Sequence, residues 1–466
     1  MKLRRLYLVA GLLGVIASFP GQTAGVSAFI DALIDSLPLS RVNMSLAYLI
    51  GTISSAFVLT PAGRAYDRFG SRISGAVSAL ALGVSLMLLT RTPVLAGVLS
   101  GFSFGGLTPA ISSGFAALVV MSVGFFLIRF WGQGMLSLIG RTMIMKWYDD
   151  RRGAANAVLS VGVPLSFSYA PQLIDAMIER FGWQASLTIL GWVILTLVGV
   201  LAVAVFRDPV SSEEVFKADG SSQAPSAPRD SGMATLLHRA GTVLRGIGLR
   251  RTSEPMRPEH SYTLAQALRT RSFWVFNLVV ALSSMLMTGF TFHIVAVMAE
   301  SGVGRADALA VLFPAAVVSV SIQPLGSILS DYMRLKYFAI VHGVALAVFL
   351  LSLPVLPITA AAYPVLIVSK GVAMAMFGIN HIVVWPRFYG TENLGAISGF
   401  NTAWMVAGSA LGPYAFSLVH DISGSFTAIA WAFAPLCFLL GLAGFFADNP
   451  NRVPGEQRAD QMRLFN

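Results

Sequence analysis

The sequence predicts an all-α membrane protein of twelve transmembrane helices, arranged as two pseudo-symmetric bundles of six. Three observations predict it. First, the 466 residues are 55% apolar and only 12% charged, where a soluble domain carries about 25% charged residues. So little charge cannot cover a water-facing surface. Second, the apolar residues fall into runs of about 20, the length a helix needs to cross a bilayer. Third, lysine and arginine crowd onto alternate loops.

The runs are taken in order. The first half gives spans at 6–28, 44–63, 73–90, 117–140, 153–176 and 184–206, and the second at 273–298, 308–330, 337–356, 361–385, 395–418 and 424–447. Backbone groups inside lipid must bond within their own segment, so these runs are helices. Met1–Arg5 is basic and Leu6–Ala17 apolar, the outline of a signal peptide. No good small-residue cleavage site follows, and a later span pairs with this one. It is therefore read as an uncleaved first span.

The charges then sort by side. Of 32 Lys and Arg, 26 lie in the amino tail, the even-numbered loops and the carboxyl tail, against four (Arg41, Arg91, Arg180 and Arg305) in the odd-numbered loops. This positive-inside bias places both termini in the cytoplasm and the chain in the cytoplasmic (inner) membrane. It also accounts for the net charge of +10 without a nucleic-acid partner. The single cysteine, Cys437, lies in an apolar run, so neither a disulfide framework nor a thiolate metal cluster is expected. No nucleophile–base pair or phosphate-binding loop is present, which argues against both an enzyme and an ATP-driven pump. No cofactor is expected, and the chain is read as a monomer.

The organisation follows. Residues 1–206 form the first bundle and 273–447 the second, with a cytoplasmic linker at 207–272 and a tail at 448–466. Within the linker, Ser211–Ser231 is rich in Ser, Ala, Pro and charge and reads as disordered. Ala234–Arg250 mixes apolar and basic residues and reads equally as a strip on the anionic leaflet or a solvated tether. Ser261–Arg271 reads as a short amphipathic helix.

Two loops repeat between the halves. Gly63-Arg64-Ala65-Tyr66-Asp67-Arg68-Phe69-Gly70-Ser71-Arg72 follows the second span, and Ser327–Lys336 follows the eighth, keeping Asp331 and Lys336. The first copy resembles the signature loop G-x-x-x-D-R-x-G-x-R/K of the major facilitator superfamily. That resemblance implies the twelve-helix fold, secondary transport, and a latch between the halves built on Gly63, Asp67, Arg68, Gly70, Arg72 and Asp331. The carboxylate is expected near a helix N-terminus, where the dipole holds it. Trp147–Gly153 after the fourth span parallels Phe388–Asn393 after the tenth. These loops, with Gly182-Trp183, resemble the monocarboxylate transporter and oxalate–formate antiporter branch. The chain departs from that branch in three places. The eighth span (Ala308–Leu329) has no Arg, the eleventh (Ser398–Leu418) no Lys, and the first (Leu6–Ser27) no charge.

The offsets of the two repeats differ. Asp67 and Asp331 are 264 apart, and Trp147 and Phe388 are 241 apart. The first half therefore carries 23 additional residues between its motifs. The uncharged segment Thr92–Gly114 is their expected place, as an outer hairpin or a lengthening of the third and fourth helices.

Every acid lies in a loop or near a span end, but two cations do not. Arg129 and Lys370 each sit near mid-membrane and differ by 241, so they occupy equivalent positions in the fourth and tenth spans. A charge at the bilayer centre costs about 2.5–3.5 kcal/mol and usually faces a cavity or a partner. With no buried carboxylate to pair them, a small organic anion is the expected partner, bound midway between the halves. Arg129-Phe130-Trp131-Gly132-Gln133-Gly134 also resembles the superfamily's fourth-span motif R-x-x-Q-G with one extra residue, where the Arg serves coupling or structure. Gln133 and Ser137 continue a polar stripe from Arg129. Asn401, Trp404 and Gly408 make another, and Gln22 and His293 complete the candidate lining. His293 is read as the one well-placed group that could carry a coupled proton. Pro164 and Pro171, and Gly412-Pro413, are expected to break the fifth and eleventh helices as hinges. The combined reading is a secondary transporter of a small, monocarboxylate-like anion. The alternatives are an exporter of amphipathic compounds or a receptor on a transporter fold.

Overall fold

The computed structural model describes residues 2–101, 112–148, 152–209, 261–390 and 393–451, without the side chains at 2, 60, 64, 67, 152–157 and 395. Most of the linker, part of the additional segment, residues 149–151 and the tail from 452 onward lie outside the described residues.

The described chain is helical, and ten of its helices are long and apolar enough to cross a membrane. Two 30-residue helices, Arg152–Phe181 and Leu394–Ser423, stand where the fifth and eleventh spans are expected. Local chemistry sets several ends. Ser40 accepts from the Asn43 amide at 3.1 Å and Ser112 from the Phe115 amide at 3.3 Å, each capping a helix that begins there. Before the seventh span, Thr263 and Gln266 cap each other's backbone across the short helix Leu264–Ala267.

Four features depart from the sequence reading. The first span is broken. Helix Lys2–Ala17 gives way to a 3-10 turn at Phe19–Gly21, an extended Gln22 (φ −85°, ψ 156°) and a short helix Thr23–Ser27. Pro20 has no amide to donate, which favours the interruption. The second departure is in the fourth span, Ser113–Trp147, which passes through a π-helical stretch at Arg129–Leu136. A π turn accommodates one extra residue in a helix, so the additional residue of the Arg129–Gly134 motif is absorbed as a bulge. Third, the breaks expected at Pro164, Pro171 and Gly412-Pro413 are absent, since each of those helices is continuous. A proline removes one hydrogen bond, but neighbouring groups in a packed bundle can hold the helix together. The fourth departure concerns the additional segment. It begins as a separate apolar helix, Thr92–Ser100, packed on the fourth span, while residues 102–111 lie outside the described residues.

The expected repeat is visible in three dimensions. At the basic end of the fourth span, Lys146 Nζ lies 4.6 Å over the Tyr66 ring. At the matching end of the tenth, Arg387 Nη1 donates to the Ser330 carbonyl at 2.5 Å. Lys146 and Arg387 are 241 apart, and Tyr66 and Ser330 are 264 apart, the same two offsets found in the sequence.

The halves meet on the far side, opposite the Gly63–Arg72 loop. There Arg305, at the start of the eighth span, reaches across the interface. Its Nε donates to Asp175 at 2.5 Å, Nη1 to Asp31 at 3.3 Å and Nη2 to the Ala28 carbonyl at 2.6 Å. Tyr169 meets Phe313, Tyr48 meets Phe292, and Ser45 meets His293. Phe292 belongs to the seventh span yet packs in the core of the first half. The molecule is therefore closed on its far side.

Candidate functional site

Arg129 begins the π-helical stretch and is 4% exposed. The fourth span presses it against the break in the first. Gly21 and Gly132 touch backbone to backbone, and a Cβ on Gly21 would lie 2.3 Å from the Ile128 carbonyl. Only glycine permits this approach. It brings Arg129 Nη1 to 3.5 Å from the Gly21 carbonyl and 3.3 Å from Thr23 Oγ1, both as acceptors. The guanidinium carbon lies 5.0 Å over the Tyr48 ring, and the Tyr48 and Thr23 hydroxyls are hydrogen-bonded at 2.7 Å. Its Nε is buried with no acceptor among the described residues. Arg129 thus has two weak oxygen acceptors and an aromatic face, and none of its described partners is a carboxylate.

Lys370 has a different shell. It is 3% exposed, and its Nζ lies 3.8 Å from Met287 Sδ and 3.7 Å from Met374 Sδ, 5.8 Å over the Phe290 ring. Thioether sulfur is a weak acceptor. No described oxygen serves this ammonium.

The two cations do not touch in this closed-far-side arrangement. The seventh span lies between their shells, with residues two positions apart facing one and the other. Phe290 sits beneath Lys370, while Phe292 packs on Tyr48, the ring that carries Arg129.

The other lining residues divide. Gln133 is exposed, and Gln22 is turned toward Ser18, donating to its Oγ at 3.2 Å. Asn401 is fully buried and holds two partners. Its Oδ1 accepts from His381 Nδ1 at 2.7 Å, and its Nδ2 donates to Asn277 Oδ1 at 2.9 Å. Trp404 sits beside Trp274 in an edge-on pair of 5.8 Å. Gly408 and Gly412 press on the carbonyls of Ala281 and Met285 in the seventh span, so they serve close packing. His293 is not a lining residue. It is 1% exposed, with Nε2 at 2.9 Å from the Pro413 carbonyl and 3.3 Å from Ser45 Oγ. It joins the halves within the far-side closure. Nor is it the sole histidine placed in the spans, because His342 and His381 lie in the ninth and tenth.

The signature loop is organised by a residue the sequence reading missed. The long run Arg41–Leu89 is two helices joined at Gly70, whose φ of 73° suits glycine. The carboxylate at the N-terminus of the third span is Asp208, which follows the sixth. It accepts from the Ser71 amide at 2.7 Å, Ser71 Oγ at 2.8 Å and the Tyr66 hydroxyl at 3.3 Å, and pairs with Lys146 at 3.2 Å. The Asp67 side chain lies outside the described residues, so its expected place at a helix end rests on sequence alone. Arg68 and Arg72 are exposed, with Arg68 5.6 Å over the Phe69 ring. In the second half Asp331 pairs with Arg387 at 2.6 Å, and Lys336 with Asp448 at 2.8 Å. These basic-side pairs each stay within one half.

Arg305, Asp31 and Asp175 were legible only in part. Arg305 stands out as a rare far-side cation, but its partners come from the first and fifth segments and no sequence spacing announces them.

Among the described residues, no group of three or more His, Cys, Asp or Glu could hold a metal ion.

A search of curated proteins finds no match. Among solved structures the fold is similar to a D-xylose-proton symporter, with a TM-score of 0.61 and 16% identity over 96% of this chain and 98% of that one. It is similar also to the nucleoside transporter NupG, with a TM-score of 0.63 and 12% identity over the same shares. At such identities the likeness is one of fold. The family model of the Major Facilitator Superfamily matches residues 11–413. With twelve helices in two repeated halves and a matching family model over most of its length, the chain belongs to the major facilitator superfamily of membrane transporters.

Proposed function

We propose that the chain transports a small organic anion across the cytoplasmic membrane by alternating access. The observation that carries this reading is the pair of equivalent mid-membrane cations, Arg129 and Lys370, neither with a carboxylate among its described partners. A charge in that position is retained where it meets a cavity or a counter-ion. A substrate carboxylate supplies the counter-ion. Substrates of such folds bind between the halves near the midplane.

Lys370 takes the substrate charge. Among the described residues its shell is thioether and aromatic, with no oxygen acceptor for the ammonium. Arg129 ties the broken first span to the fourth and couples that break to the anion. The far-side contacts of Arg305 and His293 form the closed outer gate. The site then communicates with the cytoplasm, where both termini lie. Gly63, Asp67, Arg68, Gly70, Arg72 and Asp331 act as the cytoplasmic latch when that side closes. The absence of the expected Arg and Lys from the eighth and eleventh spans separates this chain from typical oxalate and monocarboxylate carriers. Its substrate is a carboxylate read by cations on the fourth and tenth spans instead.

The experiment is uptake into proteoliposomes of labelled acetate, lactate, oxalate, succinate and benzoate, beside xylose and uridine as neutral controls. Saturable uptake of a carboxylate supports the reading. Uptake confined to neutral or cationic compounds contradicts it.

A further inference from the structure

The three histidines in the spans of the second half stand in different surroundings. His293 is enclosed, with Nε2 occupied by the Pro413 carbonyl and Ser45, and Nδ1 buried without a partner among the described residues. His342 is fully buried, with Nε2 at 2.9 Å from Ser283 Oγ and Nδ1 at 3.2 Å from Asn380 Nδ2. His381 is only partly buried. Its Nδ1 is held by Asn401 Oδ1 at 2.7 Å, and no contact of its Nε2 is described. Of the three, His381 alone is less than fully buried, and with Nδ1 donating to Asn401 its Nε2 carries the ring's lone pair.

Its position on the tenth helix matters as much. Lys370, Met374, Phe377 and His381 recur at spacings of four, three and four residues, and so share one face. The face is continuous in space. Lys370 meets Met374, and Phe377 stacks on His381 with centroids 5.7 Å apart. From Lys370 the stripe runs about 16 Å toward the basic side at 1.5 Å per residue. Behind it, Asn401 passes the hydrogen bond on to Asn277, whose Nδ2 is buried without an acceptor among the described residues. The polar relay is therefore anchored in the buried Asn401–Asn277 pair and ends at the partly buried His381 ring.

We infer that His381, positioned by Asn401 and Asn277, is the proton-coupling group, loading a proton at Nε2 together with an anion on the Lys370 face. The inference rests on the anion reading above. Charges facing His381 do not compete with this role. Between Ser272 and Phe292 of the seventh span, Leu312 and Leu329 of the eighth, Tyr337 and Ser352 of the ninth, Gly371 and Pro386 of the tenth, and Ala396 and Val419 of the eleventh there is no Asp, Glu, Lys or Arg. The titratable groups there are His342, Tyr337 and Tyr414, and beyond them Asp331 and Arg387 satisfy each other. A proton on His381 thus adds a second positive charge to the face that carries Lys370 and strengthens anion binding. By linkage the anion strengthens proton binding equally. The two move together in the direction of proton–anion symport.

The test uses full-length protein in proteoliposomes with labelled acetate, lactate, oxalate, succinate and benzoate. Wild type, His381→Gln and Asn401→Leu are compared in two assays. One is uptake driven by an inward proton gradient. The other is counterflow at equal pH, which needs no net proton movement. The expected result is that wild type responds to the gradient, that His381→Gln loses that response but keeps counterflow, and that Asn401→Leu shifts the pH midpoint of uptake. Gradient-driven uptake by His381→Gln equal to wild type overturns the inference. So does wild-type counterflow with no response to the gradient, although the anion reading then stands. If wild type exchanges no carboxylate, the anion reading falls and this inference falls with it. If His381→Gln fails to fold, Asn401→Leu decides, and an unshifted midpoint overturns the assignment.

Discussion

Arg129 and Lys370 occupy matching places in the two halves, but their surroundings are not matched. Arg129 is already at work in the fold: it donates to Gly21 and Thr23, lies over Tyr48, and sits where the first helix breaks. Lys370 is met by two sulfurs and a ring. The contrast separates two uses of a buried cation. Arg129 is engaged at the helix break, whereas Lys370, under the proposed function, is kept for a ligand. Pseudo-symmetry of the fold placed both charges, and divergence of their shells divided the labour.

The comparison can be broken in order of effect. Lys370→Met should abolish anion uptake without lowering the melting temperature, because replacing a buried charge by an apolar side chain is often neutral or stabilising by about 1–4 kcal/mol. Arg129→Met should also abolish uptake but lower the melting temperature, since the Gly21 carbonyl loses its donor at a cost of about 1–3 kcal/mol. A thermal melt beside the transport assay distinguishes the two. Gly132→Ala places a methyl 3.0 Å from Gly21 Cα, and overpacking of this kind costs about 1–3 kcal/mol. Its transport should fall with its stability.

Comparable effects follow at the gate. Arg305→Gln removes the bond to Asp175 and Asp31 across the interface. The Arg305 side chain is 31% exposed but that of Asp175 only 6%, so the carboxylate left behind loses its charged donor and stability should fall by about 1–3 kcal/mol. Labelling of a cysteine placed at Ser45 from the far side should rise; unchanged labelling would remove Arg305 from the gate. The smallest change is Thr23→Val, which takes one long hydrogen bond from Arg129, worth about 0.5–1.5 kcal/mol. It should weaken anion affinity a few-fold and leave maximal uptake intact. His293→Gln should leave the pH dependence of uptake unchanged, since His293 lies in the closure rather than on the anion path.

Much of this was legible in the sequence. Charge asymmetry and run length gave the helices, because lipid allows few alternatives to a helix of about 20 residues. The offsets of 264 and 241 reappear as equivalent contacts at Tyr66 and Lys146, and at Ser330 and Arg387. The extra residue before Gln133 became a π turn. Other features were hidden for physical reasons. The break at Phe19–Gln22 falls at Pro20 and packs against Gly132, a tertiary contact that apolar run length cannot report. Prolines 164, 171 and 413 suggested breaks that packing suppresses. Asp208 lies 137 residues from the Ser71 it caps, and the Arg305 gate joins the two halves. Such pairings are set by the fold and leave no local spacing.

The central claim is that Lys370 is held for an anionic substrate. The most direct measurement is saturable uptake of the labelled carboxylate panel by wild type and by a folded Lys370→Met variant in the same liposomes. The account predicts uptake of at least one carboxylate by wild type and its loss in a variant that melts no lower. Carboxylate uptake that survives Lys370→Met, or a wild type that carries only neutral or cationic compounds, would contradict it.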